Sequence, residues 1–181
     1  MSRPEGKSAL GYELAGIVFI IIIGSLLHFT FELSGHQAIV GVFSAVNESV
    51  WEHLKLSYWP ALAYALIEYR YLKKLTNNFI TAKTVGICLM PILITIFFYA
   101  YTVVVEDSLI IDILTFILAI IIGQLASYKL LTSKDLPKNL EKISLIAVIM
   151  LGLAFLIFTF YPPQLPIFQD PVTGEYGIIN H

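Results

Sequence analysis

Long apolar runs separated by short polar segments account for most of this chain. Five such runs lie at about 10–33, 48–75, 80–105, 108–131 and 140–161. A helix needs about 20 mainly apolar residues to cross the hydrocarbon layer of a bilayer, and every run reaches that length. The pattern predicts an all-α fold, namely a polytopic transmembrane helix bundle of about five spans.

The segment between the first two runs does not fit a spanning helix. Residues 36–46 are apolar but number only eleven, which is too few to cross a membrane. We expect a short interfacial or re-entrant segment at this point.

The last stretch of the chain, 162–181, is rich in proline and follows the last span. Asp170 and Gly174 frame a turn signal around a proline, because proline presets φ and glycine accepts a positive φ. The apolar residues of this stretch would have no contacts to make in a free tail. We predict that 162–181 folds as an extracytoplasmic cap over the helical domain, 1–161, and brings Asp170 and Tyr176 near the outer helix ends.

Composition supports a membrane location and excludes some classes of function. Of the 181 residues, 57% are hydrophobic and 13% are charged, and the mean hydropathy is +0.80. A soluble domain carries about 25% charged residues, so roughly half of the expected charge is missing. The net charge of -2, without a basic stripe, argues against a nucleic-acid partner. The single cysteine, Cys88, excludes a disulfide or a thiolate metal site within one chain.

The positions of the basic residues orient the helices. If the N-terminus is cytoplasmic, ten of the eleven basic residues lie inside, and only Lys55 lies outside. The ten are Arg3, Lys7, Arg70, Lys73, Lys74, Lys83, Lys129, Lys134, Lys138 and Lys142. Such a bias in short loops follows the positive-inside rule, so we predict an N-in/C-out topology. The first apolar run is too long for a signal peptide and is expected to be a retained helix.

The polar stretch 47–55 stands out against this apolar background. It contains Asn47, Glu48, Ser49, Trp51, Glu52, His53 and Lys55. Counting about 20 residues per crossing from the basic helix ends places Glu52 and His53 near the outer boundary of the membrane. The same count places His28 and Asp112 at that depth on other helices. Ionisable groups inside a membrane indicate a functional site by default.

These residues predict a site for one divalent metal. Carboxylate and imidazole ligands together suit zinc, iron or manganese better than calcium. The expected metal ligands are His28, Glu52, His53 and Asp112. The expected catalytic groups are Glu48, Glu52 and His53. Supporting roles are expected for Asn47, Ser49, Trp51, Lys55, Asp170 and Tyr176.

A purely structural interpretation accounts for most of the same stretch. Asn47 can cap a helix, whose dipole then favours a negative charge on Glu48 in the first turn. Glu52 can pair with Lys55, three residues further along the same face, and Trp51 can join an aromatic belt at the membrane surface. Only His53 is left without a structural role.

The sequence assigns no chemical role to three polar residues near the inner helix ends, Glu13, Glu68 and Gln124. Glu68 is expected to pair with a basic neighbour such as Arg70.

Two motifs resemble those of a known group of proteins. They are Val-Asn-Glu-Ser-Val-Trp-Glu-His-Leu-Lys at 46–55, followed by Pro60, and Phe-Gln-Asp-Pro-Val-Thr-Gly-Glu-Tyr-Gly at 168–177. The group consists of small prokaryotic integral membrane proteins classed as a domain of unknown function. The resemblance covers nearly the whole chain, including His28. It implies a multi-pass protein of the prokaryotic cell membrane and supplies no activity.

Three functions stay open, and the residues alone do not decide whether the protein is an enzyme. The first is a metal-dependent enzyme that acts on a lipid or amphiphilic substrate at the outer leaflet. The second is a small ion or solute transporter or cation-binding protein, in which Pro60, Pro91 and the segment 36–46 would interrupt helices. The third is a non-catalytic membrane assembly or interaction protein. We favour the first; membrane lipids are the expected partners, and a homo-oligomer is left open.

Overall fold

The structure of the protein is a computed structural model, and it describes residues 3–76 and 78–178. The α-helices in this part of the chain are α1 (Arg3–Leu33), α2 (Ala38–Gly41), α3 (Val50–Leu72), α4 (Phe79–Thr102), α5 (Leu109–Leu131) and α6 (Lys138–Phe160). A 3-10 helix, Pro166–Phe168, follows α6, and the described residues form no β-strand. The predicted all-α fold is confirmed.

Four of these helices are long and apolar enough to cross a membrane. They are α1, over Ser8–Leu33, and α4, α5 and α6. The protein is therefore a membrane helical protein. The helix α3 corresponds to the second predicted span and has 23 residues, as α5 and α6 have. Its polar residues Glu52, Lys55 and Glu68 are buried, so they face protein and not lipid. The N-in/C-out orientation stays a prediction.

The helix α3 lies at the centre of the bundle. It packs against α1, α4, α6 and the 3-10 helix, while α4 also packs along α5 and α6. Leu54, Tyr58 and Ala61 of α3 belong to the same buried cluster as Met90 of α4 and Phe155 of α6. Side chains from the surrounding helices therefore pack on α3 and hold this helix in place within the bundle.

Two glycines allow α4 and α5 to approach each other closely. A Cβ atom on Gly86 would lie 2.9 Å from the carbonyl oxygen of Gly123, and one on Gly123 would lie 3.0 Å from the carbonyl oxygen of Gly86. In lipid, apolar side chains gain little from leaving the solvent, so close packing of small residues is what holds such helices together. The contact holds α4 and α5 together as a tightly packed helix pair.

The segment 36–46 between α1 and α3 folds against both helices. It contains α2, which is a single helical turn. The Ser44 hydroxyl accepts a hydrogen bond from the Phe31 amide of α1 at 3.1 Å, and the Trp59 indole of α3 donates to the Val42 carbonyl at 2.9 Å. These bonds hold the loop that leads into α3.

The tail after α6 folds back on the start of α3. The ring of Phe168 packs on that of Trp51, with 4.8 Å between their centroids. The Asn47 side-chain amide donates a hydrogen bond to the Gly177 carbonyl at 2.8 Å. Residues 179–181 of the predicted cap lie outside the described residues. That the tail faces the outer side of the membrane stays a prediction.

Gly86→Ala should destabilise the bundle, because its new Cβ would press on backbone atoms of α5 that cannot rotate away. Overpacking of this kind costs about 1–3 kcal/mol. Thermal unfolding of the purified protein in detergent should show a lower Tm.

The matched control is Gly11→Ala. A Cβ atom on Gly11 would have no atom within 4 Å, and replacing a glycine inside a helix gains about 1 kcal/mol. This variant should keep or raise the Tm. If Gly86→Ala behaved like Gly11→Ala, the close contact between α4 and α5 would be wrong.

Candidate functional site

The start of α3 is set by Ser49 and not by Asn47. Ser49 is the N-cap residue, and its hydroxyl accepts a hydrogen bond from the Glu52 amide at 3.4 Å. Asn47 accepts a bond from the Ser49 amide at 2.9 Å. The helix therefore begins at Val50, and Glu48 precedes it. For this reason the expected placement of Glu48 in the first helical turn is wrong.

Glu48 turns instead toward two histidines. The Nε2 atoms of His28 and His53 lie 3.0 Å apart. Oε2 of Glu48 lies 3.5 Å from Nε2 of His53 and 3.8 Å from Nε2 of His28. One ligand atom from each residue thus lies within 4.8 Å of the others. We call these three residues the His28–Glu48–His53 group.

A backbone hydrogen bond orients the His53 ring. Its Nδ1 atom lies 2.9 Å from the Ser49 carbonyl oxygen, which can only accept. Nδ1 must therefore carry the hydrogen, and in the neutral ring Nε2 keeps a free electron pair. This is the nitrogen that faces His28 and Glu48. A histidine that binds a metal is commonly held through its other nitrogen in this way.

The Glu48 carboxyl group lies outside the helices and is about half exposed. When the His53 ring is protonated, its Nε2–H acts as a hydrogen-bond donor toward Glu48 and lowers the pKa of this carboxyl below the usual value, against the opposing effect of partial burial. Glu48 is therefore a carboxylate at neutral pH, which is the form that binds a metal.

The separations within the group fit a single metal ion. Ligand atoms around a tetrahedral zinc, with bonds of about 2.0–2.1 Å, lie about 3.4 Å from one another. The three observed separations, 3.0, 3.5 and 3.8 Å, bracket that value. Two imidazoles and one carboxylate are also a ligand set that iron(II) accepts. Three protein ligands leave at least one coordination position open, which is typical of catalytic sites.

Glu52 does not belong to this group, although the sequence suggested it as a ligand. Its Oε2 atom lies 2.5 Å from the Lys55 ammonium and accepts a hydrogen bond from the Val46 amide at 3.0 Å. Lys55 also donates to the Gly41 carbonyl at 2.7 Å and to the Thr159 hydroxyl at 2.9 Å. Lys55 is 0% exposed and Glu52 is 2% exposed, so each of these charges needs the other. The interpretation of Glu52 and Lys55 as a structural ion pair therefore fits the structure better than a role of Glu52 as a metal ligand.

Asp112 is also not a member of the group. Its Oδ1 atom lies 2.5 Å from the Tyr101 hydroxyl, which in turn lies 2.8 Å from Asp107. Asp112 nevertheless lines the same cavity as His28 and His53. Asp112 therefore shares a cavity with the two histidines, but its side chain is held by Tyr101.

The cavity has a volume of about 480 Å³ and lies between α1, α3, α4, α5 and the tail. Its acidic and histidine lining residues are His28, Glu48, His53, Asp107 and Asp112. The apolar ones include Ile21, Leu56, Ile94, Phe98, Leu109, Ile113, Phe116 and Ile117. The ionisable groups come from the helix ends, and most apolar ones lie further along the helices. The volume is in the range of about 300–1,000 Å³ that is typical of small-molecule sites.

One family model matches the chain, over residues 2–178, and its description is "Family of unknown function (DUF6512)". The chain belongs to this family. No curated protein and no solved structure matches it. The expected membership of a family of unknown function is thereby confirmed. The family description assigns no activity to DUF6512 proteins.

The remaining supporting residues of this DUF6512 protein hold the tail and do not join the His28–Glu48–His53 group. Trp51 packs between Phe155 and Phe168, and its indole nitrogen is buried with no hydrogen-bond partner among the described residues. Asp170 is buried, and its carboxylate accepts a bond from the Val172 amide at 2.7 Å. Tyr176 forms an isolated antiparallel bridge with Gln169, which lines the cavity.

The structure contains a second cluster of buried charged residues that the sequence did not predict. Lys83 of α4 pairs with Glu13 of α1 and Glu68 of α3, and Ser127 of α5 donates to Glu13. Glu68 thus pairs with Lys83 and not with Arg70 as expected. The available signal was that Glu13, Glu68 and Lys83 each lie inside a predicted span.

Lys55→Met should destabilise the DUF6512 bundle by about 3–5 kcal/mol, because it leaves the Glu52 carboxylate buried without its partner. The double variant Lys55→Met/Glu52→Gln should recover a large part of this loss. Measuring the free energy of unfolding for the wild type, both single variants and the double variant tests this coupling.

The exposed neighbours Glu141 and Lys142 supply the control. The corresponding changes there should shift the free energy of unfolding by less than about 0.5 kcal/mol. Strictly additive effects at Glu52 and Lys55 would show that the buried pair does not act as a unit.

Proposed function

We propose that the protein is a metal-dependent membrane enzyme that acts on a lipid or another amphiphilic molecule. The observation that carries this proposal is the convergence of His28, Glu48 and His53 on one point in the wall of a largely apolar cavity. Two imidazoles with one carboxylate form a known ligand set of catalytic zinc sites. Zinc, iron and manganese are the candidate metals.

The protein side chains around the cavity have distinct roles in this proposal. His28, Glu48 and His53 hold the metal, and the Ser49 carbonyl keeps the His53 ring in the required tautomer. A metal in this position would act as a Lewis acid on a carbonyl or phosphoryl group, or would activate water. Asp112 offers a carboxylate inside the same cavity that can accept a proton from water or substrate.

The shape of the cavity supports an amphiphilic substrate. The apolar surface along α1, α3, α4 and α5 suits a hydrocarbon chain, and the ionisable groups at the helix ends suit a polar headgroup. With the predicted N-in/C-out orientation, the headgroup would lie at the outer surface of a prokaryotic cell membrane. Membrane lipids are then both the surroundings of the protein and a candidate substrate class.

Metal binding is the first test. Purified wild-type protein should bind one Zn²⁺ per chain in isothermal titration, and Glu48→Gln should weaken the binding by more than the about 10–100-fold typical of a residue that only supports a ligand. Glu106→Gln is the matched control, because Glu106 is an exposed acid that belongs neither to the group nor to the cavity lining.

A second matched pair tests the histidines. His28→Asn should lose binding, whereas His36→Asn should keep it, because His36 is an exposed histidine outside the group. Asparagine also accepts the positive φ of His36, 61°, so this control should not strain the turn. Unchanged Zn²⁺ affinity in Glu48→Gln and His28→Asn would disprove the metal site.

Binding of an amphiphile is the second test. Ser25 lines the cavity, so Ser25→Trp should fill part of it and reduce the affinity for a fluorescent single-chain amphiphile by at least about 10-fold. Leu26→Trp is the control, because Leu26 is 59% exposed and does not line the cavity.

Equal affinity of the two tryptophan variants would show that the amphiphile binds elsewhere. A protein that binds Zn²⁺ but no amphiphile would favour the alternative of a cation-binding protein. A protein that binds neither would favour the non-catalytic assembly role.

A further inference from the structure

A buried cluster of charges lies at the opposite end of the bundle from the cavity. The Lys83 ammonium lies 2.6 Å from Oε1 of Glu13 and also contacts Oε2 of Glu68. Ser127 donates a hydrogen bond to the same Glu13 oxygen at 2.9 Å. Glu13 and His28 are 15 residues apart on α1, which is about 22 Å along the helix.

The charges of this cluster do not balance. Glu13, Glu68 and Lys83 are 0%, 1% and 5% exposed. Two carboxylates and one ammonium would leave one negative charge buried in a medium of low dielectric constant. Such a charge is very costly unless a cation or a proton neutralises it.

Hydrogen bonding in the cluster is also incomplete. Oε2 of Glu13, Oε1 of Glu68 and Nε2 of Gln124 are buried and have no partner among the described residues. Gln124 is 4% exposed, and its Nε2 atom lies against Gly16, one turn from Glu13 on the same face of α1. An unpartnered buried polar atom is costly, so three in one place indicate that something further binds there.

We propose that Glu13 and Glu68 together bind one exchangeable proton, which makes this cluster a proton site inside the bundle. The proton removes the excess charge, and it turns one unpartnered acceptor oxygen into a donor. Acidic side chains inside membrane helices serve as proton carriers in many pumps and transporters. The site is separate from the proposed metal site and does not depend on it.

A proton suits this cluster better than a metal ion does. Mg²⁺ and Ca²⁺ need about six or more oxygen ligands, and the cluster leaves only two carboxylate oxygens free beside the Lys83 ammonium. The charged and titratable groups that face the two carboxyls are Lys83 of α4 and Tyr64 of α3, while α5 contributes the uncharged Ser127 and Gln124. No second cation among the described residues replaces the proton.

Infrared difference spectroscopy of the full chain, in water and in heavy water at neutral pH, tests the proposal. The wild type should show the carbonyl stretch of one protonated carboxyl group. Glu13→Gln and Glu68→Gln should each lose this band, because one remaining carboxylate balances Lys83. Glu141→Gln, which removes an exposed carboxylate of α6, should retain it.

Lys83→Met should increase the band about twofold, because both carboxyls must then be neutral. If that variant does not fold, the two glutamine variants still decide the question. A wild-type spectrum without the band would overturn the proposal. So would a band that Na⁺ removes while it raises the Tm, because an alkali cation would then occupy the site.

Discussion

A charge inside a helix bundle must find an opposite charge or a proton, and this constraint decides how the helices of the protein assemble. Lipid chains are as apolar as the helix surfaces, so apolar side chains alone give neighbouring helices little preference for one arrangement. The buried Glu52–Lys55 pair connects α3 to the segment 36–46 and to α6 through the Gly41 carbonyl and the Thr159 hydroxyl. The cluster around Lys83 connects α1, α3, α4 and α5 at the other end. The helix α3 takes part in both.

Much of the fold could be predicted from the chain because apolar length alone determines where a helix crosses a membrane. The depth count brought His28 and His53 to one level, and the structure places their rings in contact. The count gives height along a helix but not rotation about its axis or the identity of its neighbours. The cluster of Glu13, Glu68 and Lys83 depends on that rotation, and it could not be derived from spacing.

The sequence predicted Glu52 as the ligand beside the histidines, but the structure places Glu48 there, and the difference has a local cause. Asn47 and Ser49 are both good capping residues, and the difference between them moves the first helical residue by two positions. With Ser49 as the cap, Glu48 leaves the helical face that it would share with Glu52. Glu52 pairs with Lys55 and does not join the two histidines. The position of the cap thus decides which of the two acids faces the histidines.

The hydrogen bond between Asn47 and Gly177 joins parts of the chain that are 130 residues apart. A ribosome adds about 5–20 residues per second, so the second partner is made roughly 7–26 s after the first. Pro166, Gln169, Pro171 and Val172 of the tail form one wall of the cavity. During synthesis, the helices can therefore assemble around a cavity that still lacks this wall, and lipid can enter it before the tail arrives. The tail therefore completes the cavity only after the helices that surround it have been made.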